Sequence, residues 1–395
     1  MPVLTFTDQS DSYLSSGSTS TDDRLVLQFL GGNDRLRTIA GGTSAYMGDG
    51  DDYARIESAS SAVVYGEAGS DRFDIFSRFS LVDGGSGNDI FNITTAGFYL
   101  RAIGGDGDDR FNFFANMPYR MEATRPNLIF GDDGNDTFYG NGHDVGRVWG
   151  GAGDDRFYGL SWTVSDGAGA FGGPGDDLFR VAPANPGFFS ERPDEGIDTV
   201  QVAFGASYVL PDNVENLQVL GFANLGSDGT LTGNAIANRM TGGDTGESLI
   251  GLDGDDRLYG KGADDTLDGG SGSDWLEGGM GRDELTGGAG LDRFIFRNGD
   301  FGGSSIATAD VIHDFQHSDG DKIRLDPVDA NELLAGDQAF LFIGTAAFAN
   351  VAGQLRYEQI SGVTVIEGDL DGDGAADFAI KVDGLVNLVS SDFIL

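Results

Sequence analysis

Between Gly242 and Ile295 a carboxylate returns at every ninth residue: Glu247, Asp256, Asp265, Asp274, Asp283 and Asp292. Two residues after each stands an apolar side chain: Leu249, Leu258, Leu267, Leu276, Leu285 and Phe294. Glycines crowd the start of each unit, as in GGSGSDWLE and GGAGLDRFI. Carboxylate and carbonyl oxygens, with no thiols or imidazoles among them, are ligands for a hard cation. A flexible site of many oxygens favours Ca²⁺ over Mg²⁺.

The spacing also says what must hold these oxygens. A glycine-rich hexad suits a tight turn, where backbone angles closed to other residues are needed. Three residues remain for a short strand whose middle side chain points inward. Two nonapeptides then make one coil with a turn at each edge, and stacked coils form a parallel β-roll around a dry seam of Leu and Phe. Equivalent carboxylates lie about 4.7–4.9 Å apart, the strand spacing, where like charges repel strongly. The pattern therefore calls for cations between turns. A flexible Gly/Asp linker would need neither the phase nor the apolar eighth position.

A looser repeat precedes this one. Its turns, from GGND at Gly31 to GGPGDD ending at Asp177, place Asp34, Asp52, Asp71, Asp89, Asp109, Asp136, Asp155 and Asp177 at intervals of 18, 19, 18, 20, 27, 19 and 22 residues. That is one full coil per aspartate. A roll with cation-type turns on one edge follows, with ordinary turns opposite, as at Ser58–Ser61 and Arg78–Leu81, and an inserted loop around Met117–Pro126. The apolar position is mostly aromatic here (Phe73, Phe91, Phe111, Phe138, Phe157, Phe179), which predicts a thicker core. Residues 1 to about 30 read as a strand-rich cap. Residues 181–232 break the repeat with a proline-bearing loop and short strands.

The quoted nonapeptides resemble the GGxGxDxUx repeat of RTX (haemolysin-type) calcium-binding proteins. The resemblance implies that a sixth-position aspartate of one turn and glycine-region carbonyls of the next share each ion. That carries over to Asp256, Asp265, Asp274, Asp283 and Asp292, with Gly251, Gly269, Gly278 and Gly287. Glu247 and Ala263 depart from the pattern, so their edge is expected to lose an ion, and GNAIANRMT, with Asn238 at the carboxylate position, opens the array without a full site. GIDTVQVAFGASYVLPDNVENLQVLG resembles a segment common upstream of RTX arrays. Residues 287–395, with ADVIHDFQHSDGDKIRLD and the ending Asp392, Phe393, Ile394, Leu395, resemble the C-terminal domain of serralysin-type secreted proteins. That resemblance implies a β-sandwich cap and a type I secretion signal.

Composition bounds the rest. The chain has 395 residues, a formal net charge of −40, 65 glycines and no cysteine. Such acidity disfavours nucleic acid and anionic membranes. Without disulfides, rigidity outside the cell would have to come from metal. MPVLTFTDQSDSYL lacks the basic and apolar parts of a Sec signal, its Met1 is expected to be the true start, and no apolar run reaches membrane-spanning length. DLDGDGAAD offers a further calcium candidate in Asp369, Asp371 and Asp373. The twelfth position is Ile380 and the flanks read as strands, against a helix–loop–helix EF-hand. His143 stands alone. His313 and His317 form an i, i+4 pair without HExxH, so neither a zinc protease nor, lacking GxSxG, an RTX lipase is indicated. Asp310 and Asp314 are expected to help cap the roll. Tyr99, Phe113, Phe114, Tyr119, Trp149 and Trp162 fall outside the regular apolar positions and fit either core or a sugar platform.

The expected fold is an all-β parallel β-roll (RTX solenoid) with a C-terminal β-sandwich cap. It is divided into a one-edged roll (1–180), a connector (181–232), the nonapeptide roll (233–296) and a serralysin-like domain (297–395). The expected function is a secreted, extracellular, noncatalytic calcium-binding protein exported by type I machinery. Its folding would follow the metal, and its partner would be a polysaccharide or a cell surface. The alternative is a polysaccharide lyase or epimerase with its site on the first roll. A groove joining aromatics, one of Arg101, Arg120, Arg125 and Arg147, and an uncommitted carboxylate would mark it.

Overall fold

The computed structural model describes residues 3–15, 25–38, 42–57, 61–77, 79–94, 99–114, 127–140, 145–160, 169–181, 189–203, 205–220 and 229–395. The chain divides into two compact units, Met1–Val200 and Gln201–Leu395. No helix among the described residues is long and apolar enough to cross a membrane.

In the first unit each coil contributes one strand to each of two parallel sheets. One sheet runs from Val3–Thr5 through Arg101–Asp106 and Leu128–Asp133 to Gly169–Phe171; the other contains Arg35–Thr38, Arg72–Ile75, Arg110–Phe113 and Leu178–Val181. Val3–Thr5 pairs in register with Val26–Gln28, and Ser12–Ser15 with Arg35–Thr38. The expected N-terminal cap is therefore the first coil of the solenoid itself. Period-2 alternation explains the rest: in Arg72–Ile75 the exposed and buried positions alternate, so every equivalent residue lands in the same layer.

Parallel register stacks identical side chains. Phe73, Phe91, Phe111, Phe138, Phe157 and Phe179 form a continuous ring stack with centroids 4.5–4.9 Å apart, and Phe189, in register with Ala170 of the opposite sheet, adds a last ring at 4.5 Å. The other sheet buries Ala45, Val64, Val82, Ala102, Ile129, Val148 and Ala170. Large residues on one sheet are thus balanced by small and medium ones on the other, which offsets the extra thickness expected from the rings.

The second unit builds the same way on smaller residues. Leu231, Leu249, Leu267, Leu285 and Ile312 register along one sheet, and Leu217, Met240, Leu258, Leu276, Phe294, Ile323 and Phe393 along the other. Strands such as Thr266–Ser271 and Trp275–Met280 span six residues, not three, because pairing continues through the glycine pair into the turn. Leu252, Lys261 and Ala263 take positive φ of 86°, 87° and 73° in slots that glycine fills elsewhere. The C-terminal cap is laid on the roll's own strands. Phe378–Asp383 pairs parallel with Asp310–Ile312 and continues into an antiparallel set with Val363–Asp369 and Gln354–Ile360, while Phe393–Ile394 pairs with Lys322–Arg324.

Candidate metal ladders

Each ladder aspartate stands immediately before a strand and bonds to the coil before it. Its Oδ1 accepts the backbone N–H of the preceding rung. Asp34 N–H donates to Asp52 at 2.6 Å, Asp52 to Asp71 at 2.7 Å, Asp71 to Asp89 at 2.7 Å and Asp89 to Asp109 at 2.7 Å. The chain of bonds continues through Asp136, Asp155 and Asp177. The bond from Asp109 to Asp136 is no longer than the others despite a gap of 27 residues, so the extra residues do not disturb the ladder. The inserted loop expected at Met117–Pro126 lies outside the described residues, as do Ser58–Ser60, Arg78, Tyr119, Arg120, Arg125, His143 and Trp162. Opposite the ladder, neutral groups take over: Ser80 accepts the N–H of Ala62, and Asn127 that of Leu100.

The second unit has a ladder on each edge. On one, Asn238, Asp256, Asp274 and Asp292 are linked; on the other, Glu247, Asp265 and Asp283. Asn238 makes a neutral first rung whose amide donates to the carbonyl of Val214. Glu247 bends its longer side chain into its own turn, accepting bonds from Gly243 N–H and the Thr245 hydroxyl.

The second oxygen of these carboxylates is the telling one. Oδ2 of Asp34, Asp52, Asp71, Asp89, Asp109, Asp136, Asp155, Asp177, Asp256, Asp265, Asp274 and Asp292 is buried without a hydrogen-bond partner. A buried, unpartnered carboxylate oxygen is costly and demands an account. From Asp71 onward each points over the first glycine of its turn; at Asp34 and Asp52 that place is held by Phe29 and Met47. A Cβ at Gly251, Gly269, Gly278 or Gly287 would collide with Oδ2 of Asp256, Asp274, Asp283 or Asp292, and at Gly251, Gly269 or Gly104 it would also lie 2.5–2.6 Å from the glycine carbonyl of the next coil. Glycine is thus required to leave a cradle of carboxylate and carbonyl oxygens between coils. That donor set fits a hard divalent cation.

Electrostatics agree. Burial, then repulsion from neighbouring acids, pushes Asp89, Asp109 and Asp155 up to about 8 and Asp177 to about 9, against the lowering effect of the backbone N–H. Asp265 is raised to about 8, Asp283 and Asp292 to about 7, and Asp256 and Asp274 to about 6, burial again leading. Without a cation, burial thus favours the protonated form of these carboxyls.

Several ladder members escape a glycine-based reading. Asp11 and Asp198 extend the first ladder at its two ends, and Asp310 and Asp321 extend the two ladders of the second unit. They lack the full glycine hexad, but each keeps the pattern Asp-x-apolar (Asp11-Ser12-Tyr13, Asp198-Thr199-Val200, Asp310-Val311-Ile312, Asp321-Lys322-Ile323), which would have found them. Asp310, expected as a cap, is a rung with its own unpartnered Oδ2. The capping role falls to Asp314, whose oxygens accept the N–H groups of Gly287 and Gly288 at 2.9 and 2.8 Å. Glu191 does the same for Gly172 and Gly173 in the first unit, at 2.7 and 3.2 Å.

Asp369, Asp371 and Asp373 bring oxygens within 4.8 Å of one another in a loop between two antiparallel strands. Asp369 accepts the N–H groups of Gly372 and Gly374. His313 and His317 turn to different carboxylates, Asp383 and Asp392, each at 2.8 Å, and do not converge. Phe114 is exposed, while Trp149 lies half-buried in an outer-face stack between Phe130 and Phe171. Trp149 and Phe171 line a groove of about 490 Å³ with Asp132, Asp133, Arg192 and Glu195.

A two-sheet parallel solenoid with carboxylate ladders set over glycine cradles is an RTX-type β-roll. The chain belongs to the family of the peptidase M10 serralysin C-terminal domain, which matches residues 45–395. Among solved structures it is similar to the solution structure of the AlgE6R3 subunit from the Azotobacter vinelandii mannuronan C5-epimerase, at 24% identity over 44% of this chain and 82% of that one, with a TM-score of 0.21. No curated protein matches the chain.

Proposed function

We propose that the chain is a secreted, noncatalytic calcium-binding protein whose folding is driven by the ion. The column of buried, unpartnered Oδ2 atoms carries this reading. In it, Asp34, Asp52, Asp71, Asp89, Asp109, Asp136, Asp155 and Asp177 hold ions along one edge of the first roll. Asp256, Asp265, Asp274, Asp283 and Asp292 hold them along both edges of the second, with carbonyls from the turns of Gly251, Gly269, Gly278 and Gly287. Glu191 and Asp314 close the last turns, and Asp369, Asp371 and Asp373 form a separate loop site. About ten ions of two charges each would offset about half of the −40 charge. Bound calcium supplies the positive charge that lets ionised carboxylates stack; the chain supplies the oxygens and the cradle.

Family membership supports export by type I machinery. A chain this acidic stays unfolded where calcium is scarce, passes a channel, and folds outside. Its extracellular task would be adhesion, matrix or surface-layer assembly. The test is circular dichroism during a calcium titration, with magnesium as control. A cooperative gain of β signal with calcium alone is expected; a fully folded chain in excess chelator would overturn the reading. The groove at Trp149 and Phe171 favours a second reading, an enzyme acting on polysaccharide. Unsaturated ends or epimerised residues formed in a polysaccharide panel would establish it.

A further inference from the structure

The outer face of one sheet in the second unit carries a single file of cations. Parallel register places Arg239, Arg257, Trp275, Arg293 and Lys322 directly above one another. Four intervals at strand spacing make the file about 19 Å long. The two units together hold 24 lysines and arginines against 64 acids, so an unmixed basic file is not what chance placement gives. Nor do its members neutralise acids. Nearby Arg297 and Arg324 are committed to Glu277 and Asp326, but among the described residues Arg239, Arg257, Arg293 and Lys322 make no ion pair.

The file is pre-ordered. Arg257 and Arg293, from the strands on either side, lie over the Trp275 indole at 5.1 and 5.3 Å, and Arg239 lies over Tyr259 at 4.3 Å. Stacking uses the flat faces of the Arg257 and Arg293 guanidinium groups and leaves their N–H edges for a carboxylate or sulfate held in two parallel bonds, while Arg239 donates one N–H to the Tyr259 hydroxyl at 3.0 Å and keeps the others. Holding the arginines on rings also lowers the ordering cost of binding.

We propose that this file binds an extended acidic polysaccharide, its anionic groups seated one after another on Arg239, Arg257, Arg293 and Lys322. Nucleic acid fits less well. Single strands are held by bases stacked on open ring faces, and the Trp275 ring already carries Arg257, Arg293 and Arg324 within 5.5 Å of its centroid. The proposal rests on the calcium-folded roll, so every sample is checked by circular dichroism.

The experiment is calorimetric titration of the full, calcium-loaded chain with a galacturonate hexamer and with dextran sulfate, in 150 mM salt. Dextran, a cellohexaose and a ten-residue oligothymidylate serve as comparison probes. Binding of either acidic probe is expected, with quenching of tryptophan emission. The Arg257→Gln, Arg293→Gln double variant should bind at least tenfold more weakly, and Lys322→Gln severalfold more weakly. Arg282→Gln, which removes one charge away from the file, should bind as the parent does. If the double variant loses its calcium-dependent β signal, Lys322→Gln and Arg239→Gln decide the matter. No binding of either acidic probe by a folded sample, unchanged affinity in the file variants, or equal binding of dextran or oligothymidylate would each overturn the assignment.

Discussion

A single ladder aspartate has two tasks, one for each oxygen. Oδ1 of Asp274 accepts the N–H of Asp256 at 2.7 Å, while Oδ2 is buried and unpartnered. Asp274→Asn keeps an oxygen for the N–H but removes the charge. It should leave the magnesium-only spectrum unchanged, raise the calcium midpoint severalfold and lower the bound-calcium count by calorimetry. Asp274→Ala removes both and should cost a further 1–3 kcal/mol or so of calcium-loaded stability, the cost of an unmade buried bond, measured by denaturant unfolding. Proton linkage gives a second test. Burial raises the carboxyls of Asp274, Asp89 and Asp177 from an ordinary 3.8 to about 6, about 8 and about 9. The metal-free folded chain therefore holds more protons than the unfolded one, and its stability falls as pH rises from about 4 to about 8. Calcium-free protein should show more β signal at pH 5 than at pH 8. Calcium should bind more tightly at pH 8, releasing protons at lower pH that a pH-stat can count.

At the level of the element, the coil cannot end without exposing its turn. An interior turn gives its glycine N–H groups to the next coil; the last one has none. Glu191 and Asp314 solve this in the two units by accepting paired glycine N–H groups. Glu191→Ala should speed hydrogen exchange at Gly172 and Gly173 at least tenfold while coils nearer the start of the unit keep their protection. Glu191→Gln should restore part of it. Asp314 was legible as a cap in the sequence, though together with Asp310, which the structure makes a rung instead. Glu191 was not, because it follows a proline-bearing loop with no repeat to set its phase.

For the whole molecule the governing quantity is charge density. A chain of −40 must either stay expanded or collect cations. An unfolded chain of this length has a radius of gyration of roughly 70 Å. Small-angle scattering should show a value of that order in chelator and a fall to less than half of it with calcium; magnesium at the same ionic strength should not reproduce the change. A compact chain in both conditions would mean that the Phe stack and Leu seam fold the rolls without metal.

The sequence by itself determined the roll, its parallel register and the ladder aspartates, because a strict period repeats the same local choice: glycine where φ must be positive, acid at the edge, apolar residue inside. It also separated one-edged from two-edged coils, since coil length is counted directly along the chain. Only the tertiary structure decided what lies between coils or between distant stretches. It gave most ladder carboxylates, from Asp34 to Asp177 and at Asp256, Asp265, Asp274, Asp292 and Asp310, one satisfied and one unpartnered oxygen, made Asp11, Asp198, Asp310 and Asp321 rungs without the glycine hexad, and laid the C-terminal strands on the roll's own sheets. It also set Arg257 and Arg293 over Trp275, in one file with Arg239 and Lys322. These features depend on neighbours 18 or more residues away, where stacking, not local pattern, sets which groups meet.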